Sequence, residues 1–346
     1  MSARDSTPAS RKEAGAKPLA PKRLIRLAYL KAAREFDRRT AKVKSLNLAL
    51  QGGGALGAFT WGVLDRLSHE RSLRIGAISG ASAGALNAAL FVSGLVRGGG
   101  PGAREALQSF WSDVADAAAA ASFIFPPMFS AQTEIWRQAF GDAGAFAVNP
   151  LRAILEKHVD IEALRAPEAP ALFVSATHVT TAKPRIFANA EMSVDVLLAS
   201  ACLPNIHPAV WIDGEPYWDG GFSANPALAP LAGHEADRTL LVRLIASGTE
   251  TPPKSGKDVD AYLKNYMFSR PLDDELARLK DFPDLDVISL GDYAPDARLD
   301  SRPSASFVKG LFAKGRDAAE DYLGRAGDSP MLRKEEPGAK VRRTRA

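Results

Sequence analysis

The chain has a single cysteine, Cys202, in 346 residues, so no internal disulfide can form, and the composition fits a reducing compartment. It lacks a long apolar run: the stretch around Ala85–Val96 stops short of the roughly 18 residues that a membrane span needs. The opening residues MSARDSTPASRKEAGAKPLAPKR carry no apolar core, so a Sec-type signal peptide is not expected. There is no zinc-ligand spacing, no basic stripe in the body and no RNA-binding aromatic motif, which argues against a nucleic-acid partner. The expectation from these absences is a soluble, cytoplasmic protein. Hydrophobic content of 46% and charged content of 24% are ordinary for a globular chain, and the length suffices for a sizeable core.

The net charge of +4 conceals an asymmetry. Residues 1–44 hold 13 Lys/Arg and 4 Asp/Glu, residues 333–346 hold 6 and 2, and the body between them is left at −9. Basic ends fit a polyanionic partner, and of the two obvious kinds an anionic membrane surface is favoured over a nucleic acid. Residues 1–22, rich in Ser, Ala, Pro, Lys and Arg, read as disordered. From Arg23 to Lys44, Leu24, Leu27 and Ala28, with Ile25, Ala32 and Phe36, recur at helical spacing among basic residues. Such a helix either packs on its own domain or stays solvated, which is the simpler reading, or lies peripherally on an anionic membrane. The organisation expected is a basic segment over 1–44, one folded domain over 45–328 and a basic disordered tail over 329–346.

Within the body, apolar strands alternate with helices. Strands are predicted at 46–50, 73–79, 171–176, 239–245 and 285–290, with helices at 58–71 and 83–95. Buried strands alternating with helices predict an α/β fold with a mostly parallel sheet. The apolar stretch SFIFPPMFSA (122–131) reads as core packing, with an acyl channel or lid as the alternative. Trp61, Trp111 and Trp136 fall on helical stretches and read as core, while Trp211 and Trp218 bracket an aspartate, and one of them is a candidate pocket wall.

Gly52, Gly53, Gly54 and Gly57 lie between the first strand and its helix. The spacing formally contains the dinucleotide-binding pattern, but the second strand ends without the acid that would hold a ribose. No Lys-Ser/Thr pair follows, so a phosphate-binding P-loop also fails. What remains is an anion cradle of backbone N–H groups beside a helix N-terminus, or a purely structural turn.

Gly80-Ala81-Ser82-Ala83-Gly84 matches G-x-S-x-G in its required setting of strand, sharp turn and helix. That setting presents Ser82 as a nucleophile at the carboxyl end of the sheet, where a helix dipole favours the developing oxyanion. A serine needs a base, yet none of His69, His158, His178, His207 and His234 has a distinctive setting. Only His234 follows an acid late in the chain, as the usual order of a Ser-acid-His triad requires. Asp219, on a tight turn before Gly220 and Gly221, is a better candidate, with an ordinary Asp-Gly turn as the alternative.

Together GGGALG, GASAG and DGG, in this order, resemble the patatin-like phospholipase family over roughly residues 46–230. ASACLPNIHPAV (199–210) and Asn225-Pro226 resemble the family segments before and after the aspartate. The resemblance implies a three-layer α/β/α sandwich. It implies a Ser82–Asp219 dyad, an oxyanion hole from the N–H groups of Gly52, Gly53 and Gly54, and supporting roles for Gly57, Gly80, Gly84, Gly220 and Gly221. The implied activity is hydrolysis of acyl esters in phospholipids and related lipids through an acyl-enzyme, with no metal or other cofactor. Alternatives from other classes are a non-catalytic lipid-binding or regulatory member of the fold and a Ser-His-Asp esterase. One position departs from the family pattern: Leu56 stands where many members have a basic residue, which removes a headgroup contact and leaves the backbone donors untouched.

Overall fold

The structure, a computed structural model, describes residues 44–116, 149–204, 207–248, 252–279, 282, 284–299, 301 and 304–328. The expectations for residues 1–43, for 122–131 and Trp136, and for the tail 329–346 lie outside these residues.

Eight strands form one sheet in the order β5-β6-β3-β2-β1-β7-β8, with β4 also on β3. The parallel strands are β1 (Ser45–Leu50), β2 (Arg74–Ala81), β3 (Ala171–His178), β7 (Arg238–Arg243) and β8 (Leu285–Ser289). β1 lies centrally, and all six of its residues are buried, as a near-continuous apolar run requires. Its one amide, Asn47, is satisfied: its Nδ2 donates to His234 O at 2.7 Å and its Oδ1 accepts from Ala77 N at 3.0 Å.

Strand alternation divides the core between two faces. Leu46, Leu48, Leu50, Ile78, Leu240 and Val242 point into the larger cluster. Ala49, Ala77 and Leu241 point the other way, towards Leu228, Leu231 and Leu272. The larger face is covered by α1 (Gly57–Leu67), α2 (Ala83–Asp116), α5 (Val194–Ser200) and α8 (Ala305–Asp328), the smaller by a 3-10 turn (Ala229–Gly233) and by α6 (Gly256–Arg278). The result is the three-layer α/β/α sandwich. Each fully buried leucine in it contributes about 1.5–3 kcal/mol.

Helix α2 runs much further than the predicted 83–95, because a second helical segment follows a break at Gly98 and Gly99, whose backbone is non-helical. Pro101 stands in the first turn after that break, where proline is tolerated. The short helices are α3 (Pro150–His158), α4 (Ile161–Arg165) and α7 (Leu290–Tyr293). Three strands were not predicted: β4 (Pro184–Ala188), β5 (Val210–Ile212) and β6 (Glu215–Asp219), each short and held by antiparallel pairing. Among the described residues no helix is long and apolar enough to cross a membrane.

Candidate active site

Ser82 is the single residue between the end of β2 and the start of α2. Its φ of 51° lies in the left-handed region, an unfavourable conformation for a residue with a side chain. The flanking glycines follow from the tightness of this turn. A Cβ on Gly84 would lie 2.1 Å from the Leu50 carbonyl oxygen, and one on Gly80 2.7 Å from the Ala85 nitrogen. The elbow is held by the Ser82 N–H donating to Ser200 Oγ at 3.0 Å and the Ser82 carbonyl accepting from Leu86 N at 3.1 Å. The half-buried Ser82 stands at the N-terminus of α2, where the helix dipole favours negative charge.

Sheet register brings Asp219 to this serine. β2 pairs with β3 as far as Ala81 opposite Ser175. The next β3 residue, Ala176, pairs with Asp219, the last residue of β6. Since β4 occupies the other edge of β3, β2 and β6 meet end to end along one edge, and Asp219 takes the position directly beyond Ala81. Asp219 is completely buried. Its N–H donates to Cys202 O at 2.8 Å, its carbonyl accepts from Thr177 Oγ1 at 2.7 Å, and its Oδ1 accepts from Gly221 N at 2.7 Å. Oδ2 has no protein donor in regular hydrogen-bond geometry, although the Ser82 hydroxyl is close enough to stabilise the carboxylate. Burial pushes the Asp219 carboxyl up to about 7, against the pull of the Ser82 hydroxyl and the Gly221 N–H. The expected base is therefore a carboxylate whose proton affinity is raised towards neutrality by desolvation. The same burial, with Asp219 nearby, pushes the Cys202 thiol up to about 12, which leaves it protonated and unreactive.

The glycine loop closes the third side. A Cβ on Gly52 would lie 2.7 Å from Ser82 Cβ, and one on Gly57 2.9 Å from Ala83 Cβ, so both glycines allow the loop to rest on the elbow. Gly52 is not a free donor: its N–H is already bonded to Asn225 Oδ1 at 2.7 Å. The expectation that Gly52, Gly53 and Gly54 all offer free N–H groups does not hold for Gly52, while those of Gly53 and Gly54 have no acceptor among the described residues. Leu56 is buried in the core. Gly220 and Gly221 open the 3-10 turn after Asp219, and a Cβ on Gly220 would overlap the Ser175 carbonyl.

The histidines occupy other settings. His234 packs against Phe173, with ring centroids 5.4 Å apart, and its carbonyl caps Asn47 near the start of β1, the end of the sheet opposite Ser82. His158 is bonded to Asp113, His178 to Glu215, and His69 to the Asp65 carbonyl. His207 is buried in the loop between α5 and β5, with its carbonyl near Cys202 Sγ. Trp61 and Trp111 are buried and stacked at 6.2 Å. Trp211 is 66% exposed. A surface cavity of about 620 Å³, lined by Arg104, Asp113, Lys157 and His158 among others, includes neither Ser82 nor Asp219.

Three residues that organise the site went unassigned in the sequence. Ser175 Oγ donates to Ala224 O at 2.8 Å and lies 3.3 Å from Gly80 O, tying the Asp219 loop to the elbow. Ser200 holds the Ser82 N–H. Gln51 Oε1 accepts from Leu244 N and Ile245 N at 2.8 and 2.9 Å, fixing the strand end from which the glycine loop departs. The available signal was a polar residue inside an otherwise apolar buried segment, as in ALFVSA and LNLALQ.

Among solved structures, VipD from Legionella pneumophila is similar at 14% identity and a TM-score of 0.43, over 83% of this chain and 67% of that one. ExoU in its complex with SpcU from the type III secretion system of Pseudomonas aeruginosa is similar at 15% identity and a TM-score of 0.38, over 83% of this chain and 53% of that one. The chain thus spans about half the length of that second relative. No curated protein matches it. The sequence model of the family described as "Patatin-like phospholipase" matches residues 48–232, more than half of the chain and the whole stretch from the glycine loop past the Asp219 turn. The chain belongs to the patatin-like phospholipase family.

Proposed function

We propose that this chain is a serine lipid acyl hydrolase of the phospholipase A or lysophospholipase type, with Ser82 as nucleophile and Asp219 as general base. Family membership supports lipid hydrolysis in general. The observation that carries the finer reading is the β3 register, which sets the buried Asp219 immediately beyond the residue preceding Ser82.

In this reading Asp219 accepts the Ser82 proton as Oγ attacks the ester carbonyl carbon. The carbonyl π bond breaks, and its electron pair becomes an oxyanion facing the N–H groups of Gly53 and Gly54 and the positive end of α2. As the tetrahedral intermediate collapses, the bond to the leaving alcohol breaks, and Asp219 returns its proton to that alcohol. Water then attacks the acyl-serine, giving its proton to Asp219, and Ser82 regains one when the fatty acid leaves. A carboxyl with a pKa of about 7 suits both directions of transfer near neutral pH. The sequence of steps calls for no metal or cofactor. The glycine loop offers backbone donors and, with Leu56 buried, no cation for a phosphate. The basic segment 1–44 is the part of the chain this reading assigns to peripheral contact with anionic membranes.

The test is intact-mass spectrometry after exposure to a lipid-like fluorophosphonate. One adduct on the wild type and none on Ser82→Ala, with greatly slowed labelling of Asp219→Asn, is the expected result. Labelling of Ser82→Ala at the same stoichiometry as the wild type refutes the assignment. Loss of activity in a folded His207 or His234 variant would instead favour a histidine base.

A further inference from the structure

We infer that Asn225 is a positioning residue that fixes the glycine loop against Ser82, and so sets where the Gly53 and Gly54 donors stand. The inference rests on the acyl-hydrolase reading above.

Asn225 is fully buried and lies on the loop that follows Asp219. Its amide is used at both ends. Oδ1 accepts the Gly52 N–H at 2.7 Å, and Nδ2 donates to the Phe268 carbonyl of α6 at 2.8 Å. Among the described residues, the first of these is the only hydrogen bond joining the Asp219 loop to the glycine loop. The second fixes the amide's orientation, since its oxygen and nitrogen each have a distinct partner. Phe268 is itself packed on the base loop, with its ring 4.9 Å from that of Phe222.

Gly52 is also closely packed against the elbow. A Cβ there would meet Ser82 Cβ at 2.7 Å and the Ala81 carbonyl at 2.8 Å. Gly52 is therefore packed on Ser82 and the Ala81 carbonyl and tied by its N–H to the Asn225 oxygen. With its N–H occupied, Gly53 and Gly54 are the two glycines of the triplet whose N–H groups have no acceptor among the described residues. Releasing Gly52 would let the loop lift from Ser82. Displacements on the order of 1 Å in a preorganised site cost about a hundredfold in rate, because the donors must meet the oxyanion and not the ground-state carbonyl. Asn225 touches neither substrate nor the reacting atoms. Its effect runs through Gly52.

The experiment measures kcat and KM on a soluble acyl ester for the full chain, with active sites counted by fluorophosphonate titration. The variants are Asn225→Ala, which removes both hydrogen bonds, and the near-isosteric Asn225→Asp, whose fully buried carboxyl, held neutral by desolvation, keeps an oxygen for Gly52 and an O–H for the Phe268 carbonyl. For Asn225→Ala, kcat per titrated site is expected to fall about tenfold to a hundredfold, with KM changed less than about threefold. The midpoint of the pH–rate profile should stay at the wild-type value, because Asp219 keeps its surroundings. Asn225→Asp should recover most of the loss. If Asn225→Ala fails to fold, Asn225→Ser, whose hydroxyl is too short to reach Gly52, takes its place with the same expectation.

A purely structural role would lower the number of titratable sites or the thermal stability and leave kcat per site unchanged. That outcome overturns the inference, as does an equal loss in Asn225→Asp and Asn225→Ala. A wild type that neither turns over ester nor takes up phosphonate overturns the underlying reading, and this inference falls with it. The two failures are thus separable.

Discussion

Replacing Asp219 by asparagine should stabilise the fold while abolishing turnover, and its size follows from the site. The Asp219 carboxyl moves from an ordinary 3.8 to about 7 on burial. Its folded-state pKa is raised, so the folded protein binds this proton more tightly than the unfolded chain does. Stability is then greatest below the unfolded value and declines as pH rises through the folded one. At about 1.4 kcal/mol per pKa unit, the cost of keeping the carboxylate ionised in the core reaches about 4 kcal/mol above pH 7. Asparagine has nearly the same shape and carries no charge to desolvate, so most of that cost disappears. Urea unfolding of wild type and Asp219→Asn should show the variant ahead by about 4 kcal/mol at pH 8 and by about 1.6 kcal/mol at pH 5. The ester hydrolysis rate should fall by at least about a hundredfold, the usual scale for loss of a general base. A stability gap that is flat across this pH range, or a variant less stable than wild type at pH 8, would refute the reasoning that desolvation dominates at Asp219.

The remaining predictions test separate links. The rate of fluorophosphonate labelling should rise with pH as a single ionisation with its midpoint at about 7, and a midpoint near 4, typical of an exposed carboxylate, would show that burial does not govern the base. Gly84→Ala forces a Cβ to within 2.1 Å of the Leu50 carbonyl oxygen and should cost about 4 kcal/mol or more, enough to abolish cooperative unfolding in a marginal domain. Gly310→Ala, on an exposed face of α8 with nothing within 4 Å, should instead raise stability by up to about 1 kcal/mol, which circular dichroism melts can read. Deleting residues 1–43, which spares the Lys44 N–H bonded to Asp237 at 2.9 Å, should weaken sedimentation with anionic liposomes, and more at low salt than at high; equal binding by both chains would reject the membrane role of that segment.

What the sequence made legible follows the range of each interaction. β1, β2, β3, β7 and β8 could be read because each is a short, mostly apolar run, and central parallel strands such as β1 bury both faces. The elbow could be read because Gly80, Ser82 and Gly84 form a pattern within five residues, although the need for Gly84 comes from the Leu50 carbonyl of β1. β4, β5 and β6 could not be, since they are short and are held mainly by pairing with a partner strand. Asp219 shows the boundary between the two cases. Its motif marked it as a candidate, but an ordinary Asp-Gly turn would look the same. What distinguishes it is its place beyond Ala81 on the edge of β3 and its complete burial, and both are properties of the assembled sheet. Gly52 makes the same point in reverse. Three consecutive glycines look equivalent as donors, yet a side chain 173 positions away occupies the first and leaves the next two. The turn at Ser82 was therefore legible as a short pattern, whereas the setting of Asp219 and the partner of the Gly52 N–H depend on long-range register, which a linear reading does not contain.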